Sequence, residues 1–262
     1  MINDFGKYQI ISNDSGAQIT STLFDDHEIL YLSPLSVKNS PARGGIPVLF
    51  PQFANLGLLP KHGFARNLPW VKSFEKISSS EHSLQYSLTV GANFFTDWPY
   101  DALLELDSTI NAKGFSQMLR VTNTGSQPFE WTGGLHPYLI VDDVCQIQVK
   151  GLCNTTYYDC HNPADRLFQS EYLFFNERPC EKLFDTAPNL IIQDKKFELV
   201  ISTSGFSQWM IWNPGKMNNL ADLPLDAWKS FICIEPVIVS KPNRLSPGET
   251  FVGEMAIKLQ LR

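Results

Sequence analysis

Glu235 is the carboxylate that most needs an explanation. It lies in the run Ser230-Phe231-Ile232-Cys233-Ile234-Glu235-Pro236-Val237-Ile238-Val239, which holds no other charge. Glutamate is almost never fully buried without a partner. Two readings follow: a buried salt bridge to an arginine such as Arg43 or Arg66, or a carboxyl group whose pKa is raised by burial until it serves as a base near neutral pH. The apolar flanks favour the second. His136 follows Thr132-Gly133-Gly134-Leu135 and precedes Pro137-Tyr138. The small residues before it let the backbone come close to a neighbour or ligand, and the apolar strand after it is expected to be buried. That junction suits either a satisfied structural imidazole or a working acid/base group. A histidine and a glutamate on facing strands would form an acid/base pair for a sugar or carbonyl compound. Two carboxylates would instead form a glycosidase pair, for which Glu181, Asp159 and Asp222 are weaker second acids.

The other candidates carry less. His27 and His82 lie among charged neighbours (DDHE, SSEHS) and are expected to be solvated, while His161 sits in a polar loop (DCHNPAD) suited to hydrogen bonding. Cys145 or Cys233 with His136 could serve as a nucleophile and base. Their apolar, strand-like surroundings and lack of a neighbouring cation point instead to inert buried thiols. The odd number of cysteines, Cys145, Cys153, Cys160, Cys180 and Cys233, reads as reduced thiols. No Cys-x-x-Cys or His-x-x-x-His spacing is present, so no metal is expected. Neither a phosphate-cradling Gly-rich loop followed by a helix nor a Gly-x-Ser-x-Gly occurs.

Residues 43–70, RGGIPVLFPQFANLGLLPKHGFARNLPW, form the stretch that would face such a pair. The segment holds Arg43, Lys61, His62 and Arg66, and no Asp or Glu occurs between Glu28 and Glu75 in a chain of net charge -6. A local lack of acid in an acidic protein marks a place suited to something anionic or oxygen-rich. Ile46, Val48, Leu49, Phe50, Phe53, Phe64 and Trp70 call for burial. A proline-braced apolar loop holding up a few polar heads is how binding walls are built. The alternative is a long connection with incidental charges.

The elements that must position these groups read as strands. In residues 83–90, Leu84, Tyr86, Leu88 and Val90 alternate with Ser83, Gln85, Ser87 and Thr89, and residues 251–261 alternate in the same way. Shorter strands are expected at 17–23, 28–32, 102–110, 118–122, 147–150, 198–202 and 209–212. Turn signals separate them, among them Asn13-Asp14-Ser15-Gly16, Asn111-Ala112-Lys113-Gly114 and Ser246-Pro247-Gly248. Only residues 220–228 and 165–169 could hold a helical turn. Many strands and almost no helix predict two packed antiparallel sheets, in one domain spanning 1–262 because no linker or repeat divides the chain. The acidic balance without a Lys/Arg run argues against nucleic acid or a membrane surface as partner. The opening MINDFGKYQIISNDSG has no basic or apolar signal region, and no apolar run approaches the ~18 residues of a spanning helix. A cytoplasmic monomer is the expectation.

Taken in order, several short motifs resemble the aldose 1-epimerase (galactose mutarotase-like) family, and more closely its hexose-6-phosphate mutarotase branch. They are Arg43-Gly44-Gly45-Ile46-Pro47 with Phe50-Pro51, His62-Gly63-Phe64-Ala65-Arg66 with Leu68-Pro69-Trp70, Leu135-His136-Pro137-Tyr138, Gly151-Leu152 with Tyr158-Asp159, Trp212-Asn213-Pro214, and Cys233-Ile234-Glu235-Pro236. The resemblance implies an all-β, galactose mutarotase-like antiparallel β-sandwich (a supersandwich with little helix) that binds a sugar on a concave face. The implied activity is interconversion of the α and β anomers of an aldose or its 6-phosphate without a cofactor. His136 matches the family's general acid and Glu235 its general base. Arg43, His62 and Arg66 match substrate-binding positions, and the two arginines are candidate phosphate contacts. Lys61 stands where the family usually has Gln, which adds a cation near the substrate and leans the reading toward a phosphate. Glu181-Lys182-Leu183-Phe184 stands where the branch tends to read Asp-Arg-Ile-Tyr, so Glu181 takes the place of a sugar-hydroxyl contact. Pro41, two residues before Arg43, also departs from the pattern. The reading from a different class is a non-catalytic carbohydrate-binding module on the same sandwich. The acid/base mechanism expects His136 to begin protonated and Glu235 ionised, which an ordinary imidazole beside a carboxylate would satisfy.

Overall fold

The computed structural model describes residues 7–36 and 41–262. Two large sheets carry most of the chain, and every strand pair in them is antiparallel. One, the site sheet, runs Asp165–Phe168, Thr155–Asp159, Cys180–Phe184, Gln208–Asn213, Phe231–Leu245, Phe129–Leu135, Val48–Leu49, with Tyr138–Ile140 paired beside Phe231–Leu245. The other, the back sheet, runs Tyr172–Phe174, Gln148–Lys150, Leu190–Gln193, Phe197–Ser204, Thr250–Leu261, Gly114–Asn123, Ala102–Asn111, Glu81–Val90, Val71–Ile77. A smaller third sheet of Tyr8–Asn13, Gln18–Phe24 and His27–Glu28 accompanies the two large ones expected from the sequence. It is tied to the back sheet where the Ile10 amide donates to His82 Nδ1 at 3.0 Å.

The back sheet forms because its strands alternate. Ala102–Asn111 and Gly114–Asn123 bury every second residue, and Leu104, Leu106, Leu119 and Val121 are fully covered. They meet the inner face of the site sheet in one continuous core, where Trp131 packs edge-on against Phe251 with ring centroids 5.1 Å apart. Each such side chain is worth about 1.5–3 kcal/mol of burial.

Three expectations need correction. Residues 165–169 make no helical turn: Asp165–Phe168 is an edge strand that alternates its exposure and pairs with Thr155–Asp159. Ladder bonds satisfy its backbone, and four residues are too few to nucleate a helix in their own right. His82 is buried rather than solvated, because it continues the inward series of Leu84 and Tyr86, and it meets Glu75 at 3.2 Å. Cys145 and Cys153 are exposed, while Cys180 and Cys233 are buried. Cys145 lies in a 3-10 turn, Val144–Gln146, that Asp143 caps by accepting from the Cys145 amide, which breaks the strand pattern. His27 is exposed, as expected. Residues 220–228 hold turns leading into a 3-10 segment, Ala227–Ser230. Among the described residues, no helix is long and apolar enough to cross a membrane.

Candidate active site

The site lies on the face of the site sheet turned away from the core. Glu235 stands in the central strand with Met210 across from it, Cys233 faces Trp212, and Trp212 in turn faces Glu181 on the next strand. Two small apolar clusters flank the carboxyl group. Tyr31, Tyr138, Leu223, Phe231 and Cys233 form one, and Leu49, Phe53, Leu183, Met210 and Val237 the other. Between them, under residues of the 43–70 segment, opens a pocket of about 300 Å³. Arg43, Lys61, His62, Arg66, His136, Glu181 and Glu235 all line it. Seven apolar residues of the segment, Ile46, Val48, Leu49, Phe50, Phe53, Phe64 and Trp70, are buried, and Phe53 lines the pocket.

His136 is brought to Glu235 by the two glycines before it. Gly133 and Gly134 have φ of 148° and 151°, and a Cβ at either would stand 2.0 Å from the Leu49 carbonyl oxygen or 2.1 Å from that of Pro236. Any side chain there would push the strand Phe129–Leu135 away from both neighbours. The close approach sets His136 Nε2 3.4 Å from Glu235 Oε1. Each residue then has a buried polar atom without a partner, His136 Nδ1 and Glu235 Oε2. Such orphaned atoms are costly in a fold and are expected where a ligand completes the bonding.

Burial governs the charges of this pair. It pushes the Glu235 carboxyl well up, helped by Glu181 and opposed by Lys61. It pushes the His136 imidazole well down, helped by His62, Arg43 and Arg66. Burial thus works against charge on both members of the pair, and the 3.4 Å contact between them works in its favour.

His62 sits at φ 67°, in the left-handed region, and its Nδ1 accepts the Ala54 amide at 3.2 Å. Such backbone strain in a non-glycine residue collects at functional sites. Burial first, then Arg66, Lys61 and Arg43, bring its pKa down to about 3. With Nδ1 accepting, a neutral His62 carries its proton on Nε2 and acts as a donor.

The buried salt bridge considered for Glu235 is not formed with either arginine. Arg43 Nε lies 3.1 Å from both carboxylate oxygens of Asp222, Nη2 lies 3.1 Å from Oδ2, and Nη1 donates to the Tyr138 hydroxyl at 3.1 Å. Arg66 Nη2 donates to the Lys61 carbonyl at 2.8 Å, and its buried Nε has no partner. Of the weaker second acids, Glu181 and Asp222 line the pocket. Asp159 stands outside it, paired with Lys182 at 2.6 Å. His161 approaches Glu181 at 3.9 Å from the rim.

Sequence reasoning gave no role to Tyr138 or Trp212 beyond their motifs. The Tyr138 ring stacks on His136 at 4.8 Å and 7°, and Trp212 meets His136 edge-on at 5.9 Å. The aromatic walls hold the imidazole in one orientation. Among the described residues, no group of three or more His, Cys, Asp or Glu could hold a metal.

Comparison with known proteins gives the following. Residues 1–258 match the aldose 1-epimerase family. A relative from Cenchrus ciliaris named "Putative glucose-6-phosphate 1-epimerase" is 30% identical over 265 residues, which span 92% of this chain and 78% of the relative. A protein of the same name from Escherichia coli (strain K12) is 28% identical over 230 residues, 84% of this chain and 76% of its own. Among solved structures, a "putative mutarotase" from Salmonella typhimurium superposes with a TM-score of 0.87 at 23% identity, covering 98% of this chain and 89% of that one. Galactose 1-epimerase from Lactobacillus acidophilus superposes at 0.78 with 13% identity, covering 99% and 92%. At these identities the two structures speak for the fold, a galactose mutarotase-like β-sandwich.

Proposed function

We propose that this chain, which belongs to the aldose 1-epimerase family and is thus an isomerase, interconverts the α and β anomers of a hexose 6-phosphate through His136 and Glu235. The observation that carries the reading is the contact between these two residues, each with an unpaired buried atom, in a pocket walled by Arg43, Lys61 and Arg66. The relatives named for glucose 6-phosphate support the substrate class, as does the acid-free segment that supplies the cations. In this reading residues 1–262 act as one unit on a small soluble sugar phosphate.

The chemistry is proton movement. The working form is an imidazolium beside a carboxylate, and a neutral pair reaches it by moving one proton from Glu235 to His136 across the 3.4 Å contact. The Lys61 ammonium lowers the cost of the carboxylate charge. Glu235 then takes the proton of the anomeric hydroxyl. O1 becomes the aldehyde oxygen, the C1–O5 bond breaks with its electron pair going to O5, and His136 delivers a proton there. Rotation about C1–C2 turns the other face of the aldehyde toward the O5 hydroxyl. His136 recovers its proton as O5 attacks, and Glu235 returns its own to O1. The pair ends with the protons it began with, so each residue serves as acid in one direction and base in the other. A neutral His62 donates from Nε2 to a sugar hydroxyl, Glu181 accepts from another, and Trp212 offers an apolar wall. A module that only binds sugar has no use for a buried carboxyl group touching a histidine, and burial makes that arrangement costly.

The experiment is NMR exchange of the anomers of glucose 6-phosphate, glucose and galactose. Accelerated exchange of the phosphate ester beyond both free sugars is the expected result. Preference for a free sugar would remove the phosphate from the reading, and no acceleration of any would remove the reading itself.

A further inference from the structure

The three cations of the pocket are not equivalent. All three guanidinium nitrogens of Arg43 are engaged, two by Asp222 and one by Tyr138. The pair is held from behind by Ser33, itself buried. Its amide donates to the Arg43 carbonyl at 2.8 Å and its hydroxyl to the Asp222 carbonyl at 2.6 Å. Next to Asp222, Leu223 is sunk into the cluster containing Tyr138 and Phe231. This is a built clamp, running from Asp222 through Arg43 to the Tyr138 hydroxyl, and the Tyr138 ring lies flat on His136. Lys61 and Arg66 are not held by a carboxylate in this way. Neither forms an ion pair among the described residues, Lys61 is exposed, and Arg66 keeps a buried Nε with no partner in the pocket wall. Arg66, Lys61 and Arg43 line the same pocket as His62.

We infer that Asp222 withdraws Arg43 from anion recognition and makes it a positioning residue for Tyr138 and His136, leaving Lys61 and Arg66 to hold the phosphate of the substrate. A carboxylate that already occupies a guanidinium in charge-assisted geometry takes the place an external oxyanion would need. This rests on the function proposed above for the phosphate's place in catalysis, but the assignment of the cations does not depend on turnover.

The test titrates inorganic phosphate by protein-observed NMR and follows anomer exchange of glucose 6-phosphate and glucose in the same variants. Lys61→Gln should weaken phosphate at least tenfold and lower the ratio of kcat/KM for glucose 6-phosphate over glucose by a similar factor. Arg43→Gln combined with Asp222→Asn removes the clamp as a neutral unit. Phosphate affinity should stay within threefold, while kcat falls about tenfold for both sugars and their ratio holds. Asp222→Glu, which keeps the clamp's charge, should recover most of the kcat. If the double variant does not fold, Asp222→Asn alone serves: Arg43 is released and phosphate should bind more tightly. Loss of phosphate affinity in either clamp variant, unchanged kcat in the double variant, or a wild type without measurable phosphate affinity would each overturn the inference. Phosphate titrations as expected in a protein that accelerates neither sugar would uphold the division of the cations and sink the proposed reaction instead.

Discussion

Two strands of similar apolar content treat a carboxylate in opposite ways. Ala102–Asn111 buries alternate residues and turns Glu105 and Asp107 to its other face, where Asp107 pairs with Arg120. The first eight residues of Phe231–Leu245 are all buried, Glu235 among them, with His136 Nε2 3.4 Å from its Oε1. The difference lies in what covers the second face. Water covers it on the back sheet, so acids sit there at little cost. On the site sheet, apolar clusters and the 43–70 segment close over it, and a carboxyl group is kept neutral unless something else in the pocket stabilises its charge. A polar group held at such a cost belongs to function more than to folding.

The sharpest way to break the comparison is to change one buried side chain in each strand in turn. Glu235→Gln should lower anomer exchange by about 10²–10⁴-fold while the denaturation midpoint holds or rises, since a costly buried carboxyl group is lost. A fall in both would make Glu235 a structural group. Leu106→Ala, in the fully covered core of the back sheet, should do the reverse. It should cost ~2–5 kcal/mol in denaturant unfolding with exchange per folded molecule unaltered.

The imidazole under the cations sharpens the contrast through pH. The folded state lowers the His62 pKa to about 3 from an ordinary 6.5, so the fold favours the neutral ring. Its contribution to stability is complete above pH 6.5 and is lost as the pH falls toward 3. Glu235 has the opposite sign, since its contribution is present below the ordinary carboxyl value and is lost as the pH rises through its elevated one. His62→Gln should therefore flatten the acid limb of the stability profile by up to ~1.4 kcal/mol per pH unit, measured as unfolding free energy between pH 6.5 and 4. A profile parallel to that of the wild type would show that His62 is free to protonate in the fold. Smallest of all, Asp107→Asn should cost only ~0–1 kcal/mol, without effect on exchange.

How far the sequence alone could lead differed along these same lines. Glu81–Val90 and Thr250–Leu261 were legible because one wet face and one dry face leave a period-two imprint. At His82 the charged neighbours pointed outward and the alternation inward. The alternation prevails because slipping one residue would turn every side chain of the strand over. Short strands of the site sheet such as Thr155–Asp159 and Cys180–Phe184 have mixed burial and leave no such imprint. The seven residues expected from sequence to be catalytic or substrate-binding all line the pocket, helped by apolar flanks at Glu235 and by glycines at His136. Asp222 was legible only as a weak second acid. Its partner Arg43 is remote in the chain, and no local pattern records that contact. The burial that works against charge on His136 and Glu235 comes from several elements at once, which no window of sequence contains.

The positions of the two last strands have a consequence for how the molecule is made. Phe231–Leu245 is flanked by Gln208–Asn213 and Phe129–Leu135, and Thr250–Leu261 by Phe197–Ser204 and Gly114–Asn123. Each sheet is thus split down the middle until the final strands of the chain arrive. A ribosome releasing the chain in order holds two half-sheets with open inner edges, exposed to mispairing until the last stretch emerges. The strand that heals the site sheet is the one that carries Glu235. Closure of the site sheet and delivery of the proposed base are therefore one event, and a chain cut short before that strand would have neither.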